Sequence, residues 1–333
     1  MSQPVVLATA SRRKPLWRTG VGVFAALMIV CGVLAPLLAN NVPLCARVAG
    51  QWSFPAFADY FGSPPPGPND LSWKQWWSRL SPGSQDFAIM PPWAYGPGET
   101  DPALYRAGPS FAHPLGNDGA GRDVLARLIH GAGTAIGLGG SAVLLAGLFG
   151  TLLGALAGYR RGWLDVVVMR LVEIFLCFPI LLFLLFASSL LGDSSLGLVL
   201  VMASLFWTSF ARIVRGELLS LRERDFVLVA RGLGISERRI LWHHLMPLLK
   251  SQIGVTAAFC MASAIVAEST LSFLGIGPGQ AASSWGNMLR QGSDVAYLGH
   301  WHMWLFPTAA IVAVVMCCHV LADRVRSRAT EQV

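Results

Sequence analysis

A chain of 333 residues that is 54% hydrophobic and only 13% charged is too apolar for a soluble domain, where about a quarter of the residues carry charge. The formal net charge of +7 comes from arginines gathered between apolar runs. That is the pattern of loops on the inner side of a membrane protein, and it argues against a nucleic-acid partner.

Six runs reach the roughly 20 residues needed to cross a bilayer: Leu16 to Ala39, Ala132 to Gly158, Leu164 to Leu191, Ser195 to Val214, Leu248 to Leu274 and Trp301 to Ala322. Hydrocarbon tolerates no unpaired backbone group, so each run is expected to be helical. The reading is an all-α integral membrane protein with six transmembrane helices. Five of the six cysteines lie within these runs as small apolar residues and only Cys45 lies outside, so no disulfide framework is expected. The first run follows Arg12, Arg13 and Lys14. It lacks a clean small-x-small cleavage site, so it reads as a retained span. Most of the 25 lysines and arginines then fall on one side. This puts both termini and the segment Asp225 to Pro247 in the cytoplasm. The expected organisation is 1–39 as cytoplasmic N-terminus and first helix, and 40–131 as an external loop with a lead-in helix. A five-helix core follows at 132–323, with loops at 215–247 and 275–299, and then a cytoplasmic tail at 324–333.

The external stretch from Asn40 to Phe111 carries Pro64, Pro65, Pro66 and Pro68 and is punctuated by Trp52, Trp73, Trp76, Trp77 and Trp93. So many tryptophans argue against disorder. An interfacial cap with tryptophans at headgroup level and a docking surface for an external protein both remain open. Next come His113, Gly116, Asp118, Gly121, Arg122 and Asp123, a turn in which Asn117 or Asp118 bonds back onto the backbone. A short amphipathic helix over Asp123 to His130 leads into the second span. On the third run, Arg170 and Glu173 stand three apart and can pair on one helix face. An internal ion pair and a pathway-lining or interhelical role both fit that spacing.

Between the fourth and fifth runs, Asp225 to Pro247 is polar and rich in arginine. Phe226, Val229, Ala230 and Leu233 share one apolar helix face beside Arg231. Gly234 suits a left-handed helix end, and Ser236 an N-cap. Ile240, Leu241, His244 and Leu245 form the apolar side of a second helix, and Pro247 suits the first turn of the next span. Such a unit fits insertion into a groove of a soluble partner, or else packs under the bundle as an elbow. The only lysines, Lys14, Lys74 and Lys250, follow no glycine-rich phosphate loop, so the chain has no ATPase of its own. No nucleophile–base constellation suggests an enzyme. His300 and His302 lack further ligands beside them, so no metal site is expected. Glu268, near the outer end of the fifth run, either pairs across helices or meets a solute.

Several of these segments share a resemblance. His113-Pro-Leu-Gly-Asn-Asp-Gly-Ala-Gly-Arg-Asp-Val-Leu125, Met169-Arg-Leu-Val-Glu173 with Pro179 beyond, Glu268-Ser-Thr-Leu-Ser-Phe-Leu-Gly275 and Ser284-Trp-Gly-Asn-Met-Leu289 resemble ABC importer permeases of the oligopeptide/dipeptide class. The likeness runs from about Phe111 to Asp323. Asp225 to Pro247 resembles that family's cytoplasmic EAA loop, although Leu228 and Val229 replace its glutamate and first alanine. Pro43-Leu44 and Trp52-Ser-Phe-Pro55 look like the microcin C-type subgroup.

The resemblance implies a type I importer permease fold in a bacterial inner membrane, with a large external loop after the first helix. It implies ATPase coupling through Phe226, Ala230, Arg231, Leu233, Gly234, Ile240, Leu241, His244 and Pro247. Substrate handover would involve Glu268, Ser272, Trp285 and Asn287 in and around a re-entrant scoop over 275–299. Implied partners are a second permease, two ATP-binding subunits that hold the ATP and Mg, an extracytoplasmic peptide-binding protein and membrane lipid. This chain itself would bind no cofactor. A nickel-chelate or oligosaccharide importer and a secondary transporter are the alternatives. The last would require broken helices in two related halves, and no such repeat is seen.

Overall fold

Proline, glycine and charge decide where the helices of this chain start and stop. The computed structural model describes residues 16–60, 67–68, 71–80, 85–192, 194–279 and 282–330. Arg12, Arg13, Lys14 and Pro64 to Pro66 lie outside the described residues. The first helix, α1 (Leu16–Val33), is followed by a single turn, α2 (Ala35–Leu38). Four long helices then form the frame: α5 (Val124–Arg160), α8 (Ser195–Leu221), α12 (Lys250–Phe273) and α14 (His302–Thr330). Each of these four is long and apolar enough to cross a membrane.

The expected third span is a broken one. α6 (Trp163–Cys177) and α7 (Ile180–Leu191) meet at a bend of 92° and together make a candidate fifth crossing. Pro179 brings no N–H and pushes its predecessor out of the helical region. Phe178 accordingly sits extended, at φ −86° and ψ 135°. The expected lead-in helix is no separate element either. α5 runs unbroken for 37 residues, about 55 Å, so it protrudes well beyond a hydrocarbon core of ~30 Å.

α5 packs tightly on α8 because Gly150, Gly154 and Gly158 recur every fourth residue on the contact face. A Cβ at Gly150 would lie 2.3 Å from Trp207 O, and one at Gly154 2.5 Å from Ala211 O. This is the small-residue packing of helices in a membrane. Around it, Ala142, Ala146, Met202, Phe210, Ala264 and Leu271 fill the centre of the bundle.

The stretch from Asn40 to Phe111 departs from an all-α fold. β1 (Cys45–Val48) pairs antiparallel with β2 (Gln51–Ser53) and with β3 (Phe87–Ile89), in the order β2-β1-β3. Ala49 and Gly50, both at positive φ, form the two-residue hairpin turn that matches strand twist. With α3 (Pro55–Tyr60) and α4 (Trp73–Ser78), the sheet encloses a small core of Val42, Ala46, Ala56, Trp73 and Trp76. Two of the tryptophans that punctuate the stretch are therefore core residues. Trp93 closes the unit onto α2, donating its N–H to Leu38 O at 3.0 Å.

Candidate functional site

Three clusters hold the residues singled out above. In the first, α9 (Asp225–Gly232) starts with Asp225, which complements the helix dipole in the first turn. It ends in a Schellman motif: Ile235 N–H donates to Ala230 O at 3.1 Å and Gly234 N–H to Arg231 O at 2.9 Å. Gly234 takes φ +77° there, which costs a residue with a Cβ. Ser236 has the backbone angles of an N-cap, but its side chain makes no capping bond; only its carbonyl is used, by Arg239 N and Ile240 N. The chain continues through α10 (Glu237–Arg239), a widened π-type turn (Ile240–Leu245) and α11 (Met246–Leu248) into α12.

The widened turn changes which residues a partner could touch. Ile240 and Leu241 are 0% and 5% exposed, packed with Leu245 and Val227 against Tyr159, Val214 and Leu218. They cannot belong to a docking face in this arrangement, because they fill the space under α5 and α8. Ala230 is half-buried against the same cluster. The open face is Phe226, Val229 and Leu233, at 42%, 61% and 75% exposure. His244, Gly234 and Pro247 are exposed as well, and Arg231 is half-buried. Polar bonds pin the unit to the bundle. Arg231 pairs with Glu237 at 3.0 Å, Tyr159 donates its hydroxyl to Glu237, and Arg222 donates to Tyr159 O at 2.7 Å. The Tyr159 hydroxyl first, and then Arg231, hold the Glu237 carboxyl below the usual range.

The second cluster is the turn before α5. Asp123 caps that helix, accepting from Ala126 N at 2.7 Å, and also accepts from Trp93 Nε1 at 3.0 Å. His113 Nδ1 lies 2.7 Å from its other oxygen, so the imidazole presents its proton there. Asp118 closes the Asx-type turn, accepting from Ala120 N at 2.8 Å and Arg122 N at 3.0 Å. It also pairs with Arg122 Nε at 2.8 Å and with Arg127. Burial pushes the Asp118 carboxyl up, but Arg127, the backbone donors and Arg122 outweigh it and hold the group below its usual range. Gly121, at φ +73°, passes so close to Asp101 that a Cβ has no room. Gly116 lies beneath His302, whose Nε2 donates to Asn117 O at 3.1 Å. Arg127 is almost fully buried and also donates to Gln291 Oε1 at 2.7 Å. Sequence reading missed it. The available signal was an arginine on the apolar side of the helix start, four residues after the Asp123 cap.

The third cluster is the scoop around α13 (Trp285–Ser293). Glu268 is wholly buried and accepts from Ser284 at 2.7 Å, Ser272 at 2.8 Å and Ser269 at 3.4 Å. Ser284 also caps α13, accepting from Gly286 N. Trp285 donates to Leu128 O at 3.0 Å, and Asn287 to Gly279 O at 3.0 Å. All four residues named for the pathway or substrate handover are thus buried and engaged with their own chain. They build and anchor the scoop, and its exposed parts lie elsewhere in the loop.

Arg170 and Glu173 do pair, at 2.7 Å, but with side chains 73% and 59% exposed. They stand on a face of α6 that no other described part of this chain covers. Near the α6–α7 break, a cavity of about 630 Å³ opens against α8 and α12. Its wall includes the polar side chains of Thr208, Ser209, Arg212, Glu217, Gln252 and Thr256. Their signal in the sequence was a polar stripe at helical spacing on two otherwise apolar runs.

Residues 150–330 match the family described as binding-protein-dependent transport system inner membrane component. A candidate peptide permease of Brucella suis biovar 1 is 36% identical over 244 residues, covering 72% of this chain and 81% of that protein. A second candidate peptide transport system permease of the same organism is 35% identical over 242 residues, covering 72% and 81%. A dipeptide transport system permease protein of Alkalihalophilus pseudofirmus is 34% identical over 228 residues, covering 68% and 75%.

Proposed function

The chain belongs to the family of binding-protein-dependent transport system inner membrane components, and from that premise we propose that it is one permease subunit of an ATP-driven importer for peptides or peptide-like solutes. The names of its relatives support the peptide class. In this reading α1 is the first of six spans and the bent pair α6–α7 is the third. Both termini and α9 face the cytoplasm, and the sheet-bearing unit faces outside. A second permease covers the side of α6 that carries Arg170 and Glu173, because an ion pair facing lipid is unfavourable. The polar cavity beside α8 is this subunit's half of the route. ATP and Mg belong to two partner subunits, and an external binding protein delivers the solute to the side of α13.

The observation that carries the coupling role is the division of labour in the segment 225–248. Val227, Ile240, Leu241 and Leu245 are buried against α5 and α8, while Phe226, Val229 and Leu233 remain open. Force applied to that open face passes into α8, and α8 also lines the cavity through Arg212 and Glu217. A rigid-body step in the ATPase pair is thereby coupled to the route.

Proteoliposomes holding the assembled importer test the transport reading. Uptake of peptides supplied on the cognate binding protein is expected to require ATP and to persist with an ionophore. Uptake that collapses with the ion gradient, or a binding protein that carries only sugars or metal chelates, contradicts the respective part of the proposal.

A further inference from the structure

Three cavities share Trp242 in their walls, a smaller one beside Arg239 and His243 and two larger ones. The first of the larger two, about 630 Å³, opens beside the last turn of α5, where Arg160, Arg222, Arg231 and Arg238 surround the single carboxylate of Glu237. Arg231 is paired with Glu237, and Arg222 with a backbone carbonyl. Arg160 and Arg238 are exposed, and among the described residues neither side chain has a hydrogen bond or ion pair. The second cavity, about 700 Å³, is an apolar groove along α5 formed by Leu144, Leu148, Leu152, Ile253 and Ala257. The half-open indole of Trp242 lines both. From Gly140 to Leu152 the groove extends about 18 Å along the helix, close to the depth of one leaflet of a ~30 Å hydrocarbon core.

A cationic cavity with two guanidiniums that no described residue pairs, sharing the Trp242 wall with a leaflet-deep apolar groove, matches a ligand with a phosphate at one end and an acyl chain at the other. We propose that this site holds an anionic phospholipid of the cytoplasmic leaflet. Its phosphate would be bound by Arg160 and Arg238, its glycerol region would lie against Trp242 and one acyl chain would lie along α5. Guanidinium forks suit phosphate oxygens, tryptophan favours the headgroup boundary, and basic pockets between helices on the cytoplasmic side select anionic headgroups. Only the leaflet assignment rests on the orientation proposed above.

Native mass spectrometry of the full chain in mild detergent reads the binding directly and is indifferent to orientation. Phosphatidylglycerol is expected to bind tightly, and phosphatidylcholine with the same chains at least about tenfold more weakly. The variant R160Q/R238Q is expected to lose about thirtyfold in phosphatidylglycerol affinity, roughly fivefold per arginine near the headgroup. The external variant R79Q is expected to lose nothing. Equal affinity for the two lipids, or no change in R160Q/R238Q, overturns the proposal. So does binding of glycerol phosphate or inorganic phosphate as tight as that of the lipid, which would make this a free-anion site. Loss of the lipid when the ATP-binding subunits are added would give the cavity to a protein side chain and also overturn it.

Should R160Q/R238Q fail to fold, a photoactivatable phosphatidylglycerol answers the same question on the unaltered chain. Labels on 144–152 and 237–243 support the site, and labels confined to other helices overturn it. An impermeant thiol reagent against S236C, in a chain whose Cys45 is replaced by serine (C45S), reads the side of the membrane separately in oriented vesicles.

Discussion

The substitution Asp118→Asn tests whether the turn before α5 is held by charge. The asparagine oxygen can keep both backbone bonds, from Ala120 N and Arg122 N, so the turn itself survives. What disappears is the negative charge shared by Arg122 and Arg127. Arg127 is buried, and its remaining partner is the neutral Gln291. Removing one member of a buried pair costs about 3–5 kcal/mol, whereas replacing both members with well-packed neutral groups is often close to neutral. Asp118→Asn is therefore expected to destabilise by about 3 kcal/mol, and the double variant Asp118→Asn/Arg127→Met by about 1 kcal/mol or less, so that the second substitution restores about 2 kcal/mol. Denaturant titration of the detergent-purified protein, followed by tryptophan fluorescence, measures both. Because the Asp118 carboxyl titrates below its usual value, its stabilisation is fully present above that value. It is lost only as pH falls through the lower, folded-state value. If the single and double variants match the unaltered chain within about 0.5 kcal/mol, the pair does not hold the turn.

Three further tests, covering four variants, follow from the geometry. Gly154→Val places a branched side chain against Ala211 O and is expected to separate α5 from α8, costing about 3 kcal/mol or more. Gly137→Ala, which meets nothing within 4 Å, is expected to be neutral or stabilising by up to about 1 kcal/mol; thermal inactivation compares the two. Ser284→Ala removes the α13 cap and one donor to Glu268. It is expected to cost about 1–2 kcal/mol and to raise amide exchange first in α13. Pro179→Ala supplies the missing N–H at the α6–α7 break. It is expected to lessen the 92° bend, seen as a longer distance between spin labels at the far ends of the two helices, and no change would assign the bend to packing alone.

Local chemistry in this chain was legible in advance. The left-handed Gly234, the Asx turn at Asp118 and the pairing of Arg170 with Glu173 each depend on residues a few positions apart, and the sequence displays those directly. Features set by distant neighbours were not legible. Ile240 and Leu241 look like a docking face on a regular helix; the widened turn and the cluster around Tyr159 and Leu218 bury them. Pro179 announced a disturbance but not its angle. Glu268, Ser272, Trp285 and Asn287 were candidates for the pathway or substrate handover through resemblance, and Glu268 stayed open between pairing and a solute, because a buried carboxylate satisfied by three serines cannot be told from an exposed one by spacing. The three-stranded sheet was missed because its strands are only three or four residues long and sit among prolines and tryptophans.

The coupling claim is tested most directly by substrate-stimulated ATP hydrolysis of the assembled importer carrying Val229→Asp/Leu233→Asp. Both side chains are exposed and outside the buried cluster, so the subunit itself is expected to fold as before. Charging the centre of an apolar face that enters a partner's groove is expected to cut stimulated hydrolysis and uptake at least about tenfold. Full hydrolysis and uptake from a normally assembled double variant would contradict the claim that α9 couples this subunit to the ATPase.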